Sequence, residues 1–471
     1  MQIPKFKDYI TEAKISGPYR LIIISDEPED DLNFHTAKNL LKQALKLGHK
    51  AYIYRNTGGY VSTEEDGELY FHNQDDKKGF RVSARDTIAI VRGSVVRRDS
   101  WLDLISRLEK HVVCVVNSRQ CINVCADKYR TSLRLADYGI KQPVSVLVTD
   151  PENSMEAFKQ LEDKFPVILK TLRGSKGVGV LFIESEKSLD SIVQLLNKQD
   201  EDSDILLQQY IKTDWDARVL VLQGKVLATM RRDVVPGDFR SNVSRGAEVR
   251  ELELTELETE ESLKAAKAVD GQWVAVDFIP SKNRKKDPPF VIEVNSSPGT
   301  EGIEEATGRN LSKEIVQHFE NRDTWKKVPS ECGYKEVVHI HPFGRIVGKF
   351  DTGNSGTSVI HADKLKTSGG KITWSLEGKT LTNDIVRKQK ISVGGLRDYE
   401  EERYVIKLDV DFAGGEYKDV EFTLDDRDEK SKILFDRETM NRFNVMVNPN
   451  RKYVITTKYS LDDKKGENKI R

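Results

Sequence analysis

Glu293 and Asn295 stand two apart in the string FVIEVNSSPGTEGIE, residues 290 to 304. The run that carries them is apolar enough for a buried strand, and side chains two apart on a strand share a face. A carboxylate and an amide on one face, ahead of a Ser-Ser-Pro-Gly turn, make either a satisfied polar pair or two oxygen ligands for a hard cation. Mg²⁺ at a phosphate is commonly held by one or two carboxylates together with the phosphate oxygens.

A second string suits the same chemistry. VILKTLRGSKGVGV, residues 167 to 180, joins a strand candidate to Gly174, Gly177 and Gly179, with Lys170 ahead of them and Ser175 and Lys176 among them. Glycines let backbone N–H groups approach anionic oxygens, and lysine adds a point charge for phosphate. No Gly-Lys-Ser/Thr opens a helix here, so the pattern is not a P-loop. Taken alone, a β-hairpin with a glycine-rich turn accounts for the segment equally well.

A third string, GRIVGKFDTGNSGTSVIHADKL, residues 344 to 365, sets Asp351 in an Asp-Thr-Gly after an apolar strand. Aspartic proteolysis needs two carboxylates about 3 Å apart that share a proton. The chain holds one Asp-Thr-Gly, so either two chains each contribute Asp351, or the segment binds peptides without cutting, or it is a turn. His339 and His341 in HIHPFG stay open between metal ligands and histidines at the start of a strand. No HExxH pattern is present.

The elements that must position these residues fall into three textures. Residues 19–126 alternate strand candidates (YRLIIIS, KAYIYR, DTIAIVRG, HVVCVVN) with helical patterns (TAKNLLKQALKLGH, WLDLISRLEK), which predicts a parallel, doubly wound α/β layer. STEEDGELYFHNQDDKKGF reads as a hairpin or long loop inserted in it. Residues 127–320 are mixed α+β. A helix ends at Gly139, and the strands are FPVILKTL, GVLFIE, DILLQQYI, a pair turning at Gly224-Lys225, WVAVDFI and PFVIEVN. Residues 321–335 form a polar linker. Residues 336–460, YVITTK included, show the period-2 alternation of an all-β domain. Residues 1–18 suit a short amphipathic helix, and 461–471 a disordered charged tail.

Composition narrows the classes. A net charge of −1 supplies no field for nucleic acid or an anionic membrane, and no apolar stretch nears the roughly 18 residues of a spanning helix. The start of the chain lacks the apolar core of a signal peptide. Cys114, Cys121, Cys125 and Cys332 do not make a disulfide framework, and they read as reduced thiols of a cytoplasmic protein.

The order Lys128, the glycine-rich turn, LLQQYI, GDFRSNVSRG, AVDFI and IEVNSSPGTEGIE resembles the ATP-grasp superfamily, and within it the RimK-type glutamate ligases. The similarity runs from about residue 20 to 319 and is tightest over GDFRSNVSRG and IEVNSSPGTEGIE. It implies a pre-ATP-grasp domain at 19–126 and an ATP-grasp domain at 127–320, using ATP and two Mg²⁺ ions, with Mn²⁺ as a possible substitute. Lys128 and Lys170 would contact the phosphates from opposite sides, and the loop from Gly174 to Gly179 would close over them. Gln209, Tyr210 and Ile211 would receive adenine through their backbone, with Gln209 standing where the family commonly has Glu. Asp216 would meet the ribose, or Arg218 a substrate carboxylate. Asp277, Glu293 and Asn295 would hold the metal ions, while Arg232, Asn242 and Arg245 would neutralise the transferring phosphoryl group and the substrate carboxylate.

The Asp-Thr-Gly segment, with VEFTLDDRDEKSKILFDRETMNRFNVMVNP further on, resembles the retropepsin-like fold and the so-called ATP-dependent zinc protease family that accompanies RimK-type ligases. That resemblance names Asp351 as the catalytic carboxylate, held by Thr352 and Gly353, and puts His361 in the family's His-Ala pair. One extra residue in DTGNSGTS departs from the family pattern. Together the resemblances imply a carboxylate–amine ligase joining an amino acid, glutamate first among them, to a peptide or protein acceptor. A retropepsin-like barrel domain is fused to it, and at least a dimer forms through that domain. An ATP-gated peptide-binding adaptor and a ligase for a small peptide-like metabolite are the alternatives.

Overall fold

The computed structural model describes residues 18–25, 32–55, 58–63, 69–74, 79–82, 86–93, 99–110, 113–162, 164–172, 179–199, 204–234, 248–392, 400–413, 415–427 and 431–456. The expected N-terminal helix and C-terminal tail lie outside them, apart from Pro18. Leu21 to Ile24 are buried without a break, as a strand covered on both faces must be. They belong to β1 (Arg20–Ser25), which lies parallel between β2 (Lys50–Arg55) and, after an inserted antiparallel sheet of β3 (Tyr60–Thr63), β4 (Leu69–His72) and β5 (Phe80–Val82), strand β6 (Thr87–Arg92). Strand β7 (Cys114–Val116) completes the order β2-β1-β6-β7. Leu21 and Ile23 pack with the helix Leu32–Lys46, and Ile22 and Ile24 with the helix Asp99–Lys110. This is the doubly wound layer, and the polar stretch expected as a hairpin or loop is the three-stranded insert.

Two antiparallel sheets follow. The first contains β8 (Ser145–Val148), β9 (Val167–Thr171), β10 (Val180–Ile183) and β11 (Ile205–Gln209), in the order β10-β9-β11-β8. Helices Ser154–Lys159 and Glu186–Gln199 cover one of its faces through Phe158, Leu189 and Val193. The second contains β12 (Trp215–Leu222), β13 (Lys225–Asp233), β14 (Val249–Glu251), β15 (Trp273–Ile279) and β16 (Phe290–Asn295), in the order β14-β13-β12-β15-β16.

The two faces of this second sheet have different fates. Ala217, Val219, Val221, Val274 and Val276 pack under the helix Glu256–Ala268 through Ala265 and Ala266. On the other face Leu220, Leu222, Met230, Trp273 and Ala275 join the core of the first layer. Further along, that same face turns from apolar to charged at Asp216, Arg218, Arg232 and Asp277. The site begins where the core stops.

The C-terminal part is β, as its alternation predicts, apart from the short helix Arg437–Arg442, whose Met440 packs into the core. Its strands are β17 (Ser330–Gly333), β18 (Lys335–Ile340), β19 (Gly344–Phe350), β20 (Ser358–His361), β21 (Asp363–Ser368), β22 (Lys371–Leu376), β23 (Lys379–Asp384), β24 (Arg387–Ser392), β25 (Glu400–Phe412), β26 (Gly415–Asp425), β27 (Ile433–Phe435) and β28 (Val445–Asn448). Among the described residues, six of them run β18-β19-β27-β20-β26-β25, and β25 pairs back to β18 to close a mixed barrel. Its core centres on Phe350, Trp374, Phe412, Phe422, Phe435 and Phe443.

Two details differ from the sequence reading. Within the expected linker, β17 forms a parallel pair with β28. The described part of YVITTK is bent chain and not a strand. The buried Glu336 carboxylate accepts the N–H groups of Val454, Ile455 and Thr456, the donors that a ladder would have used. Among the described residues no helix is long and apolar enough to cross a membrane.

A candidate active site between two sheets

Lys128 is the first residue of the helix Lys128–Asp137, whose start is fixed by the Asp127 side chain accepting the Arg130 N–H at 2.9 Å. Lys170 extends from β9 and Glu293 from β16, and the three line one cleft together with Gln208, Leu206 and Cys125. The Lys128 Nζ donates to the Thr171 carbonyl at 3.1 Å. The Lys170 Nζ donates to Gln208 Oε1 at 2.6 Å, and the Gln208 Nε2 donates to Ser145 Oγ at 2.8 Å. Burial, with help from the Lys128 charge, outweighs Glu293 and pushes the Lys170 amine down to about 8. Burial also lowers Lys128, against the pull of Glu293 and Asp127. Two ammonium groups crowded against partial desolvation form a site that an anion would relieve.

Beside the cleft a row of charges crosses the second sheet. In register, Asp216 faces Arg232, Arg218 faces Asp277, and Asp277 faces Glu293. Arg232 grips Asp216 with two bonds of 2.7 and 2.8 Å and reaches Asp277 at 3.0 Å. Arg218 holds Asp277 through bonds of 2.8 and 2.7 Å. Burial works to raise the Asp277 carboxyl, but the two guanidinium groups prevail and hold it at about 2. Asp277 is 3 % exposed while Glu293 lies open, so the row runs from a buried, neutralised end to an exposed carboxylate at the cleft. A register shift between Asp277 and Phe278 marks a bulge at Ile292 that sets this pairing.

Asn295 shares the face of Glu293 but pairs in register with Ala275, and its Oδ1 accepts the Ser297 N–H at 2.8 Å. An amide oxygen has a second lone pair, so this turn leaves it able to ligate. The turn itself is tied to the first layer. Arg92 donates to the Pro298 carbonyl at 2.7 Å, Gly93 N–H to Ser297 Oγ at 2.8 Å, and Asn117 Nδ2 to the Ser296 carbonyl at 2.7 Å.

The structure therefore gathers Lys128, Lys170 and Glu293 at one cleft, with Asp277 opposite Glu293. Gln209 ends β11, and Tyr210 and Ile211 begin the short connection that carries the chain into β12 and the second sheet. Asp216 is buried in its pair with Arg232. Gly179 has a φ of 78°, and its carbonyl accepts the Thr171 N–H at 2.9 Å. Gly174, Ser175, Lys176, Gly177, Asn242 and Arg245 lie outside the described residues. Sequence reasoning passed over Gln208, Arg92 and Asn117. Gln208 alone left a trace, as a polar residue on the Leu206 face of an apolar strand.

In the barrel, Asp351 follows β19. Its Oδ1 accepts the Gly353 N–H at 3.0 Å, and its Oδ2 lies 3.8 Å from Lys349 Nζ. Thr357 Oγ1 donates to Gln389 Oε1 at 2.8 Å, which ties the loop after Asp351 to β24. His361 is 5 % exposed, with Nδ1 accepting the Arg427 N–H at 2.9 Å.

Comparison with known proteins agrees with the first two thirds of this description. The profile of the RimK-like ATP-grasp domain matches residues 125–319. A probable alpha-L-glutamate ligase of Marinobacter nauticus is 35% identical over 298 residues, covering 62% of this chain and 94% of that protein. One of Coxiella burnetii (strain RSA 493 / Nine Mile phase I) is 31% identical over 306 residues, covering 64% and 95%. Among solved structures, D-alanine–D-alanine ligase from Bacillus anthracis complexed with ATP aligns with a TM-score of 0.47 at 18% identity, over 65% of this chain and 98% of that one. The chain belongs to the RimK-like ATP-grasp family.

Proposed function

We propose that the chain is an ATP- and Mg²⁺-dependent carboxylate–amine ligase that adds glutamate to the C-terminal carboxylate of a peptide or protein. The observation that carries this reading is the convergence of Lys128, Lys170 and Glu293 on one cleft, with Asp277 facing Glu293 across the strand pair. The donor set fits the partners: two ammonium groups for a triphosphate, and only oxygen ligands, from Asp277, Glu293 and Asn295, for a hard cation. Bound Mg²⁺ would supply charge neutralisation at the phosphates.

The chain's own residues do the rest by positioning. At pH 7 the Lys170 amine, at about 8, is mostly protonated, and Gln208 aims it. Lys128, its Nζ on the Thr171 carbonyl, lines the same cleft. Gly174 to Gly179, with Ser175 and Lys176, would cover the phosphates, and Gln209, Tyr210 and Ile211 would receive the base. Arg232, Asn242 and Arg245 would offset negative charge on the phosphoryl group as it passes to the acceptor carboxylate. Attack by a neutral amine on the resulting acylphosphate forms the C–N bond and releases phosphate, with the amine proton going to solvent. Asp216 is better read as the residue that holds Arg232 than as a ribose contact. The names of the relatives support glutamate as the donor.

The test is mass spectrometry of candidate acceptor peptides after incubation with ATP, Mg²⁺ and each amino acid in turn. A glutamyl increment, with ADP formed only when donor and acceptor are both present, is the expected result. ATP turnover that persists unchanged in Glu293→Ala overturns the assignment.

A second reading concerns the barrel. Asp351, set in a tight turn at the end of β19 with its carboxylate partly open, supports a retropepsin-like, peptide-binding domain that cuts only if two copies bring two Asp351 side chains together. Peptide cleavage that survives Asp351→Asn in a monomeric chain would contradict it.

A further inference from the structure

Away from both sites, three ligating side chains meet on the outside of the barrel. Val338 and Ile340 of β18 enter the barrel core, so His339 and His341 face outward. On β25, Val410 and Phe412 likewise point inward, and Asp411 stands directly across from His339 over the pairing that closes the barrel. The two imidazoles stack with centroids 4.4 Å apart at 19°. Asp411 Oδ2 lies 2.8 Å from His341 Nε2 and 3.9 Å from His339 Nδ1. One ligand atom from each residue thus falls within 4.8 Å of the other two.

We propose that His339, His341 and Asp411 bind a borderline divalent transition-metal ion, of which Zn²⁺ is the simplest probe. Two imidazole nitrogens and a carboxylate oxygen suit such ions better than Mg²⁺ or Ca²⁺. Ligand atoms about 2.0–2.2 Å from a tetrahedral ion sit roughly 3.3 Å apart, and the two distances to Asp411 Oδ2 straddle that value. The side chains are 38, 44 and 22 % exposed, so a fourth position would open to solvent. Arg345 faces His339 on one side of the row and Glu416 faces Asp411 on the other, with Lys418 and Asp409 close by.

The second histidine–carboxylate group of the barrel, His361, Asp363 and Asp426, also brings its ligand atoms within 4.8 Å of one another, but its single imidazole is already engaged at both ring nitrogens. Its His361 turns Nε2 toward Asp363 but Nδ1 toward Asp426 and the Arg427 N–H, so its carboxylates sit on opposite edges of one ring. The proposed site is also separate from Asp351, which lies six positions beyond Arg345 in the chain, or roughly 20 Å at the rise of a strand. An ion there would staple β18 to β25 across the seam.

The experiment uses the full chain, stripped with a chelator and then titrated with Zn²⁺ by calorimetry and with Co²⁺ by visible absorption, with excess Mg²⁺ present to occupy hard oxygen sites. One tight equivalent is expected, weakened more than about 100-fold in both His341→Ala and Asp411→Asn. Melting of the metal-free protein and ATP turnover should stay unchanged in both variants, which separates lost ligation from lost fold. A wild-type chain that takes up no Zn²⁺, or either variant binding within tenfold of wild type, overturns the proposal.

Discussion

Asp277 and Asp351 both lie near the C-terminal end of a strand whose other face packs a core, yet their surroundings are opposed. Asp277 is sealed in and gripped by Arg218 and Arg232, while Asp351 keeps a third of its side chain open, with Lys349 at 3.8 Å. The first carboxylate is charged by construction and can be moved only by replacing its partners. The proposed nucleotide site is thus largely prepared within one chain, whereas the Asp351 carboxylate is met by its own loop and by Lys349.

The contrast can be broken or sharpened by substitution. The largest effect is expected from Asp277→Asn or Glu293→Ala, which should lower ATP turnover by about 10³-fold or more. Asp351→Asn should leave ADP formation within about twofold, and coupled-enzyme assays on the same preparations check both. Next, Asp216→Asn should cost about 3 kcal/mol of stability by stripping the buried Arg232 of a bidentate partner. Asp351→Asn, at a partly open carboxylate, should stay within about 0.5 kcal/mol, as denaturant titration would show.

Lys170→Met should weaken nucleotide binding about 10- to 100-fold, the loss of one charge-assisted contact. Its pH signature has a definite sign. The amine falls from 10.5 to about 8 on folding, so between those values the unfolded chain holds a proton that the folded chain has released. Stability should therefore gain with rising pH across that window relative to Lys170→Met. Nucleotide affinity should drop as pH passes through about 8. Within the cleft the smallest effect is expected from Gln208→Leu, about 5- to 10-fold in nucleotide affinity, because it removes the guide and leaves the charge.

The same contrast explains how much was legible in the sequence. Glu293 and Asn295 announce themselves by strand periodicity, and the alternation of strands and helices gives the first layer. The pairing of Asp277 with Glu293 is set by a bulge at Ile292, which no local pattern reports. Arg92 and Asn117 act on the Ser296–Pro298 turn from 206 and 179 residues away. Nothing local to TIAIVR or CVVN says that the polar residue after the apolar run is an anchor. YVITTK misleads for the converse reason, since Glu336 supplies acceptors that no period-2 count includes. The barrel's closure rests on His339 meeting Asp411, a juxtaposition made only in three dimensions.

The Glu336 clamp and the parallel pair of β17 with β28 also fix where the chain departs. The carboxylate that collects the N–H groups of residues 454–456 sits at the first strand of the barrel, beside the segment arriving from the ATP-grasp half. Anything fused after residue 456 therefore sets out from the junction of the two halves and not from the barrel's far end. A bulky C-terminal tag would be tethered near that joint, and a tag at the other end would also start there, because the Pro18 carbonyl accepts from Arg322 at 3.2 Å.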